Sequence, residues 1–288
     1  ARCFASGVPS PEQAPTPEAK HLAEQAQLQA DRNRAYYAKN RALHRSVVLR
    51  LTEQIRNCIL VHQQPNARIA RSGNLDPERV WRAPLLDDSR VFRCAEEENQ
   101  PSFTVDLLLD ASASRLHCQE VIAAQGAILA ESLSRCHIPV RVSSFCSLRG
   151  YTVLRVLKHF KDKQWQGVNQ YFASGWNRDG LALRGARQLM GDFTRTKKIL
   201  IMLTDGEPND DKPLVGDGLF SSSEYRDEKA VANTADEAAA LRREGIRIIG
   251  LINGENQHIM KDARKIFGED CVEVRDLDKM ADSVGRML

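Results

Sequence analysis

The chain has 288 residues, 42% hydrophobic and 27% charged, a balance that fits a globular protein with a sizeable core, organised as one large domain with an appendage or as two domains. Its 41 basic and 38 acidic residues leave a net charge of +3 and are interspersed, so no field of one sign marks a nucleic-acid surface. No apolar run approaches the ~20 residues needed to span a bilayer, and the N-terminus lacks the basic-then-apolar order of a signal peptide, so the expected location is cytoplasmic, without membrane insertion.

Residues 1–18, rich in Pro, Ala and Ser and without periodicity, read as a disordered linker. From Ala19 to His62 there is no Pro or Gly, and Leu43, Val47, Leu51, Ile55 and Ile59 recur every four residues, which predicts one long helix with an apolar stripe. Residues 63–101 carry Gly73, Pro77 and Pro84 between short apolar groups. They read as a connector with a short helix near Asp76 to Trp81, where D-P-E offers an N-cap followed by proline at the first helical position. Residues 19–101 are therefore a helical N-terminal region with its connector.

From residue 102 the pattern alternates. Strands are expected at 103–110, 138–145, 151–160, 197–205, 246–252 and 271–276, with helices at about 117–135, 179–191, 224–244, 256–267 and 277–287. Near-continuous Val/Ile/Leu runs are what strands become when helices cover both faces. The fold class expected over 102–288 is thus α/β, a doubly wound and mostly parallel sheet. The closely spaced strands at 138 and 151 suggest a hairpin, giving one antiparallel edge. Seven scattered cysteines with no C-x-x-C pair fit reduced thiols better than a disulfide framework or a zinc site.

In such sheets ligands bind beyond the carboxyl ends of the strands. "LLLDASAS" delivers Asp110, Ser112 and Ser114 there, "LIMLTDGEP" delivers Asp205, and "SGWNRDGLALRGA" brings Asn177 and Asp179 to a helix start. Any one of these side chains could simply cap the following helix. Together they form an oxygen-only donor set suited to a hard cation, Mg2+ before Mn2+ or Ca2+. Neutral hydroxyls beside one carboxylate would leave the ion with residual positive charge and room for an external acid. The long segment after Gly206 reads as a binding-rim loop, with Asp210, Asp211 and Asp217 as solvated acids in preference to additions to the metal rim, and Leu219 and Phe220 as candidate contacts to a partner or packing on the loop itself.

D-A-S-A-S followed by T-D-G resembles the metal-ion-dependent adhesion site of von Willebrand factor A (vWA) domains. "NRDGLALRGA", "LTDGEPND" and "GNLDPERVWRA" are further similar to the C-terminal A-type domains of the nitric oxide reductase activation protein, the cobaltochelatase subunit CobT and the Rubisco activase adaptor, together covering roughly residues 65–288. The resemblance implies Mg2+ held by Asp110, Ser112 and Ser114, with Asp205 reaching it directly or through water. Where the family carries a threonine, Asn177 stands; either its amide oxygen substitutes or Asp179 takes over.

The resemblance also implies a noncatalytic adaptor, partner of a MoxR-type AAA+ ATPase in activating, or inserting metal into, a metalloenzyme client. The sequence has no phosphate-binding loop and no nucleophile elbow. The rival reading is a Mg2+-dependent phosphoester hydrolase with Asp110 as nucleophile. Against it, Ser112 occupies the position where such an enzyme carries its second acid.

Overall fold

The computed structural model describes residues 2–7, 11–62, 67–95, 103–191, 197–215, 222–254, 257–274 and 276–287. The N-terminal part contains β1 (Arg2–Ser6), α1 (Pro17–Lys39), α2 (Arg41–His62), β2 (Ala67–Ala70), β3 (Asn74–Leu75), α3 (Arg82–Leu86) and β4 (Phe92–Ala95). After it come β5 (Phe103–Asp110), α4 (Gln119–Arg135), β6 (Val140–Leu148), β7 (Tyr151–Lys158), α5 (Asp179–Met190) and β8 (Lys197–Thr204). The chain ends with β9 (Asp210–Val215), β10 (Ser222–Tyr225), α6 (Asp227–Arg243), β11 (Ile246–Ile252), α7 (Gln257–Phe267), β12 (Cys271–Glu273) and α8 (Leu277–Met287).

Seven strands form one sheet in the order β1-β7-β6-β5-β8-β11-β12. Pairing is parallel throughout the β6-β5-β8-β11-β12 part, and β7 is antiparallel to β6. β5 is central: the chain leaves it toward β6 on one side and later returns to β8 on the other. That reversal places a topological switch point at the carboxyl ends of β5 and β8, the place where open α/β sheets take ligands.

The alternation of side chains along each strand decides what each layer contains. Val105, Leu107 and Leu109 of β5, with Ile199, Ile201 and Leu203 of β8, belong to a core shared with α2, α4 and α8. Leu108, Leu200, Met202 and Ile248 belong to the opposite core, under α5, α6 and α7. Asp106 lies among these strands and is held by Arg141 Nε at 2.6 Å, so even the buried charge on the sheet is paired.

The long N-terminal helix is present but broken at Asn40. α1 starts on Thr16, whose hydroxyl accepts from Ala19 N at 3.2 Å, and Pro17 occupies the first helical position. It stops at Lys39, where Asn40 N–H returns to Tyr36 O. α2 then buries Val47, Val48, Leu51 and Ile55 in the core shared with α4 and α8. Leu43, read as part of the stripe, is 51% exposed. Steps of four residues drift by about 40° per step on an α-helix, so Leu43 has rotated off the face that Leu51 centres, and Val48 replaces it.

Three local expectations change. Arg2–Ser6, read as linker, forms a strand parallel to β7 on the sheet edge. The helix expected from Asp76 is a hydrogen-bonded turn; helix begins only at Arg82, and Asp76 is buried, bonded to Glu78 N and to Arg93 Nε at 2.8 Å. That ion pair pins the turn to the small antiparallel sheet β2-β4-β3. The segment after Gly206, read as an open loop, contains the antiparallel hairpin β9-β10; Asp217, Leu219 and Phe220 lie outside the described residues. Cys3, Cys58, Cys118, Cys136, Cys146 and Cys271 are free thiols, and no described helix is long and apolar enough to cross a membrane.

Candidate metal centre

The rim is built by neighbouring strands that end together. Leu109 pairs with Leu203, so Asp110 and the Thr204–Asp205 pair emerge side by side. Asp110 is fixed through its backbone as well: its carbonyl accepts from the Tyr171 hydroxyl, and Ala111 N bonds Phe145 O at 2.9 Å. Tyr171 is in turn held by Asn33 of α1, whose amide donates to Asn169 O at 2.8 Å and Tyr171 O at 2.9 Å. The N-terminal helix thus supports the floor of the site.

The acid and hydroxyls of D-A-S-A-S interlock. Asp110 Oδ1 accepts from Ser112 N at 2.9 Å, an Asx-type turn that bends the chain out of the strand. Ser112 Oγ lies 2.9 Å from Ser114 Oγ, and Ser114 Oγ donates to Asp205 Oδ2 at 2.6 Å. Ser112 precedes a 3-10 turn but makes no side-chain cap bond. Its hydroxyl faces the rim, so capping does not explain it. At Asp205 the chain turns back through Gly206, whose φ of +77° is a conformation that L side chains rarely adopt.

Asp179 joins this group from the start of α5. It is buried beside Asp110, and its Oδ2 accepts from Thr204 Oγ1 at 3.4 Å. Gly180 lets the start of α5 lie against α6, since a Cβ there would fall 2.4 Å from Asn233 Oδ1. Burial, reinforced by the neighbouring Asp110 charge, raises the Asp179 pKa well above the usual carboxylate range. Burial also raises that of Asp110, opposed by Arg115 and by hydrogen bonds from Ser112 and Thr204. Asp110 Oδ2 and Asp179 Oδ1 are buried and have no hydrogen-bond partner. Orphaned carboxylate oxygens in such a place are costly without a cation or proton to answer them.

Asn177 is brought to the same rim, where its amide is engaged within the protein. Its backbone pairs with Asn209, and its Oδ1 accepts from Asn209 N at 3.0 Å, which fixes the amide orientation. Nδ2 therefore points toward Glu207 O at 3.1 Å and Asp205 Oδ1 at 3.5 Å. Asn177 thus clasps the T-D-G loop, while Asp179 carries the unengaged oxygen.

Two participants were missed in the sequence. Thr204 hydrogen-bonds Asp179 and caps Gly206 N at 3.1 Å; its place immediately before Asp205 was the available signal. Arg115, directly after Ser114, puts Nη2 2.7 Å from Asp205 Oδ2 and Nε 3.7 Å from Asp110 Oδ2. Nothing local marks an arginine as turning inward. Asp210, read as a solvated acid, is buried and faces Arg178 at 3.4 Å, whose guanidinium stacks over Tyr225.

Asp110, Ser112, Ser114, Asp179 and Asp205 form an all-oxygen set of two hydroxyls and three carboxylates, a chemistry that suits a hard divalent cation. Among the described residues no three His, Cys, Asp or Glu side chains are grouped so as to hold a metal by themselves. An ion here would need the serine hydroxyls as well as the acids.

The architecture is a doubly wound, mostly parallel α/β fold. No family model matches the chain, and no curated relative does. Among solved structures it is similar to the pilus adhesin SpaC from Lactobacillus rhamnosus GG in its open conformation, at 16% identity and a TM-score of 0.50. That match covers 65% of this chain and only 29% of the adhesin. It is also similar to manganese-loaded TRAP protein of Plasmodium vivax (17% identity, TM-score 0.46, 65% of this chain and 72% of that one). A third is proximal thread matrix protein 1 from the mussel byssus, with a zinc-occupied MIDAS motif (17%, 0.48, 65% and 46%). At these identities the likeness shows the fold alone.

Proposed function

We propose that the chain is a divalent-cation-dependent, noncatalytic protein-binding module, with Mg2+ as the working ion. The observation that carries this reading is the meeting of Asp110, Ser112, Ser114 and Asp205 at the switch point of the sheet, beside buried oxygens of Asp110 and Asp179 that accept no hydrogen bond. Asp110, the two serines and Asp205 would hold the ion, with Asp179 on the third loop. When bound, the ion would offer an open Lewis-acidic position to a carboxylate of a partner. The hydroxyls add donors without adding negative charge, which favours that attraction, whereas an ionised Asp179 would raise metal affinity and weaken the pull on a partner's acid. Asn177 keeps the Asp205 loop in register, so the site is assembled before a partner arrives. That manganese-loaded and zinc-occupied sites occur in proteins of similar fold is consistent with this use of the rim.

The partner we propose is a MoxR-type AAA+ ATPase, with a metalloenzyme as client, in the cytoplasm. Support for this finer reading is the resemblance carried by "NRDGLALRGA", "LTDGEPND" and "GNLDPERVWRA". The N-terminal helices fit an adaptor role, since α1 reaches Tyr171 beneath the site and could pass on a movement there.

Isothermal titration with Mg2+ and Mn2+ tests the metal, with Asp110→Ala as control. Binding by the native chain that disappears in the variant is expected; equal binding by both would overturn the reading. A pull-down with the candidate ATPase, with and without EDTA, tests the partner: retention that EDTA does not reduce would exclude a metal-bridged contact.

A further inference from the structure

Arg115 is a base enclosed among the buried acids of the rim, with its side chain 5% exposed. It sits in the 3-10 turn Ala113–Cys118, directly after the second serine of D-A-S-A-S. Nη2 shares Asp205 Oδ2 with the Ser114 hydroxyl, at 2.7 and 2.6 Å. Nη1 reaches Asn253 O at 3.3 Å, at the exit of β11. Nε is buried without a hydrogen-bond partner and faces Asp110 Oδ2, itself without one, across 3.7 Å. The guanidinium therefore lies between the two acids that the proposed ion would use, held firmly by one and only loosely by the other.

We propose that Arg115 is a tethered cation that stands in for the divalent ion when the site is empty and competes with it for Asp110 and Asp205. The inference rests on the metal-binding reading above and adds its regulation. An ion that draws on Asp205 Oδ2 takes the oxygen to which Arg115 is bonded, and two cations cannot share that acceptor without repulsion. Metal entry thus requires the guanidinium to leave Asp205. In the metal-free state the same side chain offsets the crowding of Asp110, Asp179 and Asp205, so the rim stays folded without an ion. The device lowers apparent metal affinity by the factor with which the Arg-bound arrangement is favoured. It makes occupancy responsive to metal concentration and to a partner's acid, which would help draw the ion in. Because Nη1 touches Asn253 O, release of Arg115 also frees a contact to the loop after β11.

The test is titration calorimetry with MgCl2 and MnCl2 on the native chain, Arg115→Gln, Asp110→Ala and the Arg115→Gln/Asp110→Ala double variant, with circular dichroism to confirm folding. Arg115→Gln is expected to bind at least tenfold more tightly than the native chain, and both Asp110→Ala chains not to bind. Equal or weaker binding by Arg115→Gln, with native binding intact, overturns the competition but leaves the metal site standing. Binding by neither the native chain nor Arg115→Gln overturns the metal reading and this inference with it. Should Arg115→Gln not fold, the Nε resonance of Arg115 in the 15N-labelled native chain decides. It is expected to shift on saturation with Mg2+, and an unmoved resonance in a metal-bound chain overturns the proposal.

Discussion

Arg115 and Ser114, adjacent in sequence, converge on one oxygen, Asp205 Oδ2, from 2.7 and 2.6 Å. A single carboxylate at the end of β8 therefore ties down the whole loop that follows β5. Breaking a buried ion pair by removing one partner leaves the other charge unanswered, typically at a cost of about 3–5 kcal/mol. Asp205→Ala is accordingly expected to lower the unfolding free energy of the metal-free chain by roughly that amount, read from the urea midpoint at constant m-value. A loss below about 1 kcal/mol would mean that Arg115 finds another partner and that the loop is not anchored here.

Asp179 presents the opposite case. It is a buried acid next to Asp110 with one oxygen unengaged, an arrangement costly for stability and useful for holding a cation. Asp179→Asn removes the like-charge repulsion while keeping the shape. The variant should melt higher than the native chain in EDTA, by a few degrees, and bind Mg2+ or Mn2+ more weakly in titration. A lower melting temperature in EDTA would show that Asp179 is stabilising as it stands.

Asp106 gives a pH signature remote from the rim. Burial pushes its pKa to about 6 despite Arg141, from an ordinary value of 3.8. With the folded value above the unfolded one, the folded state binds the extra proton. The stabilisation is therefore complete below about pH 4 and is lost as pH rises through about 6. Urea unfolding between pH 4 and 7 should show this slope in the native chain, and Asp106→Asn should flatten it. An unchanged slope in the variant would assign the titration to another group.

Leu51 tests whether the N-terminal helices belong to the same cooperative unit as the sheet. It is fully buried in the core that α2 shares with α4 and α8. Leu51→Ala should cost roughly 2–5 kcal/mol, the range for cavities left in a packed core. The expected denaturation curve remains a single transition, with its midpoint shifted, when followed both by tryptophan fluorescence and by far-ultraviolet circular dichroism. Two separated transitions would show that α1 and α2 fold apart from the sheet.

Apart from the hairpin β9-β10, the strands and helices from residue 103 onward were legible because each layer of a doubly wound sheet writes its own period. β5 reads as a largely apolar run interrupted by Asp106, since both of its faces are covered, and α5 through α8 carry the helical spacing of elements with one buried side. The acids of the rim were legible too, because strand ends in such a sheet face one direction. Asp110 and Asp205 could be placed together from chain order alone.

What the chain could not disclose locally are relationships made by long-range packing. Asn177 looked like an oxygen donor, yet only its pairing with Asn209 decides that its nitrogen faces Asp205. Arg115 was not singled out by any local signal, and only the enclosure made by Asp205 and Asn253 turns it inward. Asn33 lies far from the rim in sequence and supports it through Tyr171. Periodicity and strand ends are local properties, so the residues themselves determined the layers and the acidic edge. The direction in which a polar side chain points depends on which buried partners satisfy its hydrogen bonds, and that was decided only when the layers closed.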